Sequence, residues 1–283
     1  MGVTLSYSGL GGKVKFSGTS GKFKTNYEKE GLLDLYPNAA PAYSLRKLKK
    51  TYTGSAIRVR RSSDNAEQDI AFTGGQLNTT ALLSFCGVGN GFVTTWYDQS
   101  GNAKNLVQTG AAQQPNIVVS GALITRNSKP YIQIVNGTNF VFSTDLVTTN
   151  GTNYSLWMLF EKSIVTGINQ ILIRGGAEYH WLDYGTTQYI NSGNNSITIT
   201  DPTANVTYLI NTITNYGVGA TMYRNGTSIG TGAFGAGAAS SIFPGARPSG
   251  TTITTAEFVF YPSNQETNRT AITNNINSYY SIY

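Results

Sequence analysis

The chain has 283 residues, of which 12% are charged, about half of the usual share, so hydroxyl and amide groups must cover much of its surface. Cys86 is the only cysteine, which excludes an intrachain disulfide framework and any multi-cysteine metal site, and we expect a buried thiol. The net charge of +6 is concentrated in residues 1–61, which carry twelve basic and three acidic residues. This basic start predicts contact with a negatively charged partner, although no recognised nucleic-acid module is present.

Residues 1–41 differ from the rest of the chain. Val3–Tyr7 and Lys13–Phe16 alternate apolar and polar residues, as short strands do, and residues 36–41 are typical of a linker. We expect a basic, Gly-rich docking arm over residues 1–41, with an ordinary edge hairpin of the main domain as the alternative. Its contacts with other subunits would come from basic side chains, and Arg58 and Arg60 on the following strand could equally be a solvated edge. The candidates for these assembly contacts are Lys13, Lys15, Lys22, Lys24, Arg58 and Arg60.

Beyond this arm, residues 42–283 are predicted to form one β domain with a few short helices. The apolar spacing predicts a helix over residues 42–50 and, with Asn78 as N-cap, another over 79–85. Asn225-Gly226 is the strongest hairpin signal, because a type I′ turn needs positive φ at both positions. A capping box at Ser263 and Glu266 predicts a final helix to about residue 279. The clearest predicted strands are 56–61, 92–97, 116–119, 131–135, 154–160, 170–174, 179–184, 206–214 and 256–261.

The segment Tyr97-Asp98-Gln99-Ser100-Gly101-Asn102 is the most specific motif of the chain. With Ala42–Arg46 and Ala56–Arg61 before it, it resembles the opening of the α-L-arabinofuranosidase B catalytic domain. The resemblance implies an all-β fold, a concanavalin A-like two-sheet jelly-roll sandwich with an N-terminal arm. Related segments also occur in bacteriophage proteins.

A glycosidase needs two carboxylates across the scissile bond. The resemblance places a nucleophilic Glu on a strand in the middle of the domain, where Glu178 is the nearest match, and a general acid in a Gly-rich loop before the last strand. The corresponding residues 245–250 contain no carboxylate. Asp183 is an alternative acid, but residues five apart on a regular strand point to opposite faces. We therefore expect no catalysis by the family mechanism.

Four residues nevertheless form a candidate glycan-binding cluster: Glu178, His180, Trp181 and Asp183. An aromatic ring beside carboxylates suits a sugar, whose apolar face stacks while its hydroxyls need polar partners. The alternative is a buried Trp and a His with local hydrogen bonds. Asp98 is a further candidate, with capping of backbone amides in a rigid turn as its alternative role.

These observations predict a bacteriophage virion protein that decorates a capsid or tail, contacts other virion proteins through its arm, forms a homo-oligomer and binds host glycans. The alternatives are a glycoside hydrolase of α-L-arabinofuranosidase type and a purely structural capsid-stabilising protein. We expect no cofactor, no metal and no membrane or specific nucleic-acid partner. The N-terminal sequence lacks the apolar stretch of a signal peptide, so synthesis in the host cytoplasm and location in the virion are expected.

Overall fold

The computed structural model describes residues 30–135, 141–142, 153–163, 170–174, 178–184, 187–192, 195–200, 203–233 and 252–283. For residues 141–142 and for the strands between 170 and 200, the description concerns the backbone. Strands dominate these residues and helices are short, which confirms the predicted all-β jelly-roll sandwich.

The described residues form a succession of β-strands. They are β1 (Ala42–Ser44), β2 (Ile57–Arg61), β3 (Glu67–Ile70), β4 (Phe72–Thr73), β5 (Gln76–Leu77), β6 (Gly91–Trp96), β7 (Leu106–Val107), β8 (Asn116–Val119), β9 (Ala122–Leu123), β10 (Thr125–Arg126), β11 (Lys129–Pro130), β12 (Ile132–Ile134), β13 (Val141–Phe142), β14 (Ser155–Lys162), β15 (Gln170–Arg174), β16 (Glu178–Tyr184), β17 (Thr187–Ser192), β18 (Asn195–Thr200), β19 (Thr207–Asn215), β20 (Gly219–Arg224), β21 (Thr227–Gly232) and β22 (Ile253–Tyr261). The α-helices are α1 (Leu32–Leu35), α2 (Thr79–Cys86) and α3 (Arg269–Tyr280), and the 3-10 helices are Ala111–Gln113 and Glu266–Asn268.

Strand β22 is the centre of the larger hydrogen-bonded network. Its path runs β13-β7-β6-β8-β12-β22-β14-β19-β20-β21, and β1 also pairs with β22. Strands β15 to β18 form a separate antiparallel sheet of four strands in chain order. Every residue of β14 and of β22 is buried, so both faces of the central strands are covered by other parts of the protein.

Helix α3 covers one face of the central strands, which we call the helix face. Trp157 of β14 lies on this face and donates a hydrogen bond from Nε1 to Thr273 Oγ1 of α3 at 3.0 Å. The opposite face is aromatic: the ring centroids of Tyr43 and Phe258 lie 6.0 Å apart, and those of Tyr154 and Phe260 lie 5.5 Å apart. Such pairs add stabilisation beyond the area they bury.

Several predicted elements are confirmed. Asn78 caps α2, because its Oδ1 accepts a hydrogen bond from the backbone N–H of Ala81 at 3.0 Å. The turn between β20 and β21 has φ of 52° at Asn225 and 81° at Gly226, as the predicted hairpin requires. The strands on both sides of it pair in antiparallel fashion.

Two helix predictions need correction. Residues 42–50 do not form a helix, because residues 42–44 are strand β1, which pairs with β22 from Ala42↔Val259 to Ser44↔Glu257. The final helix α3 begins at Arg269, after a 3-10 turn. Ser263 does not cap it; its hydroxyl oxygen accepts a hydrogen bond from the Gln265 side chain instead.

Residues 30–41 pack against the body of the domain. Leu32 and Leu33 are buried, and the Tyr261 hydroxyl donates to the carbonyl of Tyr36 at 2.8 Å. The Ala40 N–H donates to the carbonyl of Phe260 at 2.7 Å. Lys13, Lys15, Lys22 and Lys24 lie outside the described residues, so the docking-arm hypothesis remains a prediction.

Candidate active site

Strand β16 carries four of the predicted site residues: Glu178, His180, Trp181 and Asp183. It lies between β15 and β17, and its residue Glu178 pairs with Ser192 at the end of β17. Both neighbours are hydrogen-bonded to β16, so this strand is held on each side by a backbone ladder. The sheet therefore brings the four residues onto one short interior strand.

The ladder of β16 is irregular at its second half. Pairing with β17 shifts in register between Trp181 and Tyr184, and pairing with β15 shifts on either side of Ile171. A register shift breaks the two-residue alternation of a strand, and such bulges are frequent beside active sites, where they redirect a side chain. The expected separation of Glu178 and Asp183 onto opposite faces assumed regular alternation, and the backbone does not support that assumption.

Asp98, the fifth predicted site residue, holds a turn together. Its carboxylate accepts hydrogen bonds from the N–H of Ala42 at 2.9 Å, of Ser100 at 2.8 Å and of Lys104 at 3.1 Å, and from the Ser100 hydroxyl at 2.7 Å. Asp98 is only 4% exposed. The structure thus gives this carboxylate the turn-forming role, and it leaves the oxygens closed to a sugar.

Gln99 continues this link between the motif and the first strand. Its Oε1 accepts a hydrogen bond from the N–H of Leu48 at 2.7 Å, and its Nε2 donates to the carbonyls of Ser44 and Arg46 at 2.9 and 3.0 Å. The motif that carries the family resemblance therefore has a structural role. It fixes the path of residues 42–48 beside β22.

A buried ion pair on the helix face was not predicted. Arg46 donates to both carboxylate oxygens of Glu257, from Nε at 2.7 Å and from Nη2 at 2.8 Å, and the Ser44 hydroxyl donates to the same carboxylate at 2.7 Å. Burial disfavours the charge of Arg46, but the attraction of Glu257 outweighs it, so the pKa of Arg46 is raised. The signal in the sequence was Glu257 itself, an acid inside an apolar strand.

Arg58 and Arg60, the predicted assembly contacts of β2, have partners within the chain. Arg58 Nε lies 2.6 Å from Glu67 Oε2 on the neighbouring strand β3. Arg60 donates from Nε to Gln114 Oε1 at 2.7 Å, and its guanidinium lies 4.5 Å from the centre of the Phe92 ring. Both arginines are therefore engaged in contacts that organise their own sheet.

An inventory of the acidic residues narrows the choice of catalytic groups. Among the described side chains, every carboxylate except that of Glu30 accepts a hydrogen bond from a neighbouring group of the protein: Asp34, Asp64, Glu67, Asp69, Asp98, Glu161, Glu257 and Glu266. Glu178 and Asp183 are the carboxylates of β16, and Glu28, Asp145 and Asp201 lie outside the described residues.

The described part of the chain contains no group of three His, Cys, Asp or Glu residues that could hold a metal ion. It also contains no helix long and apolar enough to span a membrane.

Comparison with known proteins identifies the sequence relationship. Residues 35–155 match the family model "Alpha-L-arabinofuranosidase B, catalytic". This part of the chain is arabinofuranosidase-like. The α-L-arabinofuranosidase B of Penicillium canescens is 38% identical over 85 residues, which are 28% of this chain and 18% of that protein. The probable α-L-arabinofuranosidase B of Aspergillus fumigatus is also 38% identical over 85 residues, covering 28% of this chain and 17% of that protein.

Solved structures extend the similarity to most of the fold. An arabinofuranosidase complexed with arabinofuranosyl-α-1,2-xylobiose superposes with a TM-score of 0.67 at 17% identity, over 87% of this chain and 64% of that one. A GH54 α-L-arabinofuranosidase soaked with a cyclic sulfate inhibitor gives 0.65 at 16% identity, with the same coverage. The chain thus spans less than two thirds of the length of the relatives it matches.

These comparisons correct the functional expectations. The prediction of a bacteriophage virion protein located in a capsid or tail is wrong, because the matched family model and the sequence relatives are arabinofuranosidases. The prediction that the chain is not an enzyme is overturned by the same matches. That prediction rested on the absence of a carboxylate in residues 245–250 and on regular alternation of side chains along β16. The second assumption fails at the register shift.

Proposed function

We propose that this chain is a glycoside hydrolase that removes α-L-arabinofuranosyl groups from a polysaccharide, with Glu178 as the nucleophile. The observation that carries the proposal is the match of residues 35–155 to an arabinofuranosidase catalytic domain. The similarity in fold extends over 87% of the chain and supports it.

The chemistry requires a carboxylate nucleophile and a carboxylic acid. Glu178 attacks the anomeric carbon and forms a covalent glycosyl-enzyme bond while the bond from that carbon to the leaving oxygen breaks. The acid gives its proton to the leaving oxygen and then, as a base, takes a proton from the water that releases the sugar. In such a double displacement, the two carboxyl groups lie about 5–5.5 Å apart.

Asp183 is our choice for the acid and base. It lies on the same strand as Glu178, in the stretch where the ladder to β17 is irregular, and its backbone pairs with Gln170 of β15. No carboxylate occurs between Asp201 and Glu257, so the Gly-rich segment before β22 cannot supply the acid. Glu257 is excluded as the acid because it is 1% exposed and its carboxylate is hydrogen-bonded to Arg46.

The test is hydrolysis of 4-nitrophenyl α-L-arabinofuranoside and of arabinoxylan by the wild-type chain, by Glu178→Gln and by Glu67→Gln. The last variant is a matched control, because Glu67 is an exposed carboxylate on β3. We expect release of arabinose by the wild type, wild-type rates for Glu67→Gln and loss of at least about a thousandfold in Glu178→Gln. Absence of turnover on both substrates would refute the hydrolase proposal, and full activity of Glu178→Gln would refute the assignment of the nucleophile.

A further inference from the structure

A second concave site lies on the helix face, between strands β19 to β21 and the segment that leads into α3. It is an open groove of about 480 Å³, within the range of ligand sites. We call it the edge groove. The polar residues of its lining that the structure describes are Asn215, Thr221, Tyr223, Thr231, Asn264 and Glu266.

The centre of the edge groove is organised by contacts within the protein. The Tyr223 hydroxyl lies 3.3 and 3.4 Å from the two carboxylate oxygens of Glu266, to which it donates. Arg269 binds the same carboxylate from Nε at 3.0 Å, and its guanidinium lies 4.0 Å from the centre of the Tyr223 ring. Ring, carboxylate and guanidinium thus fix one another, which lowers the conformational entropy lost when a ligand binds.

The floor of the groove depends on close approach of two strands. A Cβ atom added at Gly219 would lie 2.7 Å from the carbonyl oxygen of Gly232, so no side chain fits there without displacement of backbone. Both glycines line the groove. At this point the groove is therefore lined by the backbone of the two strands.

The lining identifies the class of ligand. The charge of Glu266 is balanced by Arg269, so the site favours neither an anion nor a cation. Amide and hydroxyl groups of Asn215, Thr221 and Thr231 offer donors and acceptors together. Val218, which is 74% exposed, adds apolar surface at the rim. A neutral saccharide fits this charge-balanced lining. Its hydroxyls need hydrogen-bond donors and acceptors, and its apolar ring faces pack on apolar or aromatic surface.

We propose that the edge groove is an accessory binding site for a neutral polysaccharide chain, separate from the carboxylates of β16. The lining residues that the structure describes all lie outside the sheet of β15 to β18. The groove itself indicates that the ligand is a neutral saccharide. The further statement that this ligand is an arabinose-containing polysaccharide rests on the proposed function. The site would hold polysaccharide without touching the bond that is cleaved.

The test measures retention in a gel containing soluble arabinoxylan, together with turnover of 4-nitrophenyl α-L-arabinofuranoside. Asn215→Ala/Thr231→Ala removes two exposed groove side chains, and Asn274→Ala/Thr227→Ala removes the same two residue types at exposed positions of α3 and β21 outside the groove. We expect retention to weaken about fivefold to tenfold in the groove variant, as loss of one or two hydrogen bonds implies, and to stay within about twofold in the control. Tyr223→Phe, which keeps the ring, should weaken retention by a smaller factor.

Turnover of the small aryl substrate should be unchanged in all three variants, since this substrate is too short to need an accessory site. Equal retention of the groove variant and the control variant, or absence of retention in the wild type, would overturn the inference whatever the turnover. A chain that releases no arabinose but loses retention in the groove variant would refute the proposed function and support the edge groove.

Discussion

Strands β22 and β16 both carry carboxylates, one in β22 and two in β16, but in different surroundings. In β22, Glu257 is buried, bound in bidentate fashion by Arg46 and further bonded by Ser44. In β16, Glu178 and Asp183 lie on a strand whose ladder to β17 shifts in register. The first arrangement uses both oxygens of the carboxylate for contacts within the fold, whereas the second interrupts a regular strand, as reactive sites often do.

The residues that carry the family resemblance are also not the residues to which the reaction is assigned. The motif around Asp98 and Gln99 carries the clearest family signal, yet its side chains bond to the backbone of residues 42–48 and of their own turn. The proposed catalytic carboxylates lie outside residues 35–155, the part that matches the family model. In this chain, the best-matched residues build the scaffold, and the reaction is assigned to a strand that follows them.

Asp183→Asn is expected to slow the reaction strongly. Loss of a general acid should slow the release of a poor leaving group from arabinoxylan by about 10²–10⁴-fold, because nothing then protonates the departing oxygen. The kcat/KM for the 4-nitrophenyl arabinofuranoside, which reports the first step, should fall much less, since nitrophenolate leaves without a proton. The ratio of the two kcat/KM values is the measurement, and an unchanged ratio would remove Asp183 from the mechanism as the acid.

The ion pair of β22 is expected to matter for stability and not for chemistry. Glu257→Gln leaves Arg46 buried without its counter-charge, and we expect a loss of about 3–5 kcal/mol in the free energy of unfolding. Glu67→Gln breaks the exposed pair with Arg58 and should cost about 0–1 kcal/mol. Urea denaturation of the two variants measures the difference. Equal losses would show that burial does not set the strength of these pairs.

The turn at Asp98 gives the next test of the scaffold role. Asp98→Ala leaves three backbone N–H groups and one hydroxyl without their acceptor, so we expect about 2–4 kcal/mol of destabilisation in urea denaturation. The rate constant on the aryl substrate, measured below the unfolding transition, should remain within about threefold of wild type. A large loss of rate in the folded variant would instead place Asp98 at the sugar.

A small effect on stability is expected at the hairpin between β20 and β21. Gly226 has φ of 81°, and an alanine in this left-handed region costs about 1–2 kcal/mol. Gly226→Ala should therefore lower the midpoint of urea denaturation slightly. Gly230→Ala, in the neighbouring strand and without positive φ, serves as the control. Identical midpoints would contradict a conformational requirement at the turn.

The strands and the hairpin were predictable because their signals are local. Alternation of apolar residues and the Asn225-Gly226 pair indicate strand and turn without reference to distant parts of the chain. The helix predicted over residues 42–50 fails for the opposite reason. Leu45 and Leu48 have helical spacing, but the Leu48 N–H bonds to the side chain of Gln99, 51 residues away, and β1 pairs with β22. Such long-range partners override local spacing.

The strand that carries the candidate site residues was predictable, but its pairing was not. The sequence placed Glu178 and Asp183 on one strand, which is confirmed as β16. It could not reveal the register shift, because a bulge depends on how two neighbouring strands pair. The buried partner of Arg46 was missed for the same reason: Glu257 lies 211 residues further along the chain.

Covalent labelling of the nucleophile tests the central claim most directly. The wild-type chain would be incubated with an arabinofuranose-configured cyclic sulfate, digested and analysed by peptide mass spectrometry, with Glu178→Gln as the unlabelled control. The account predicts one adduct, on the peptide that contains Glu178, and none in the variant. An adduct on another carboxylate, or the same adduct in Glu178→Gln, would contradict it.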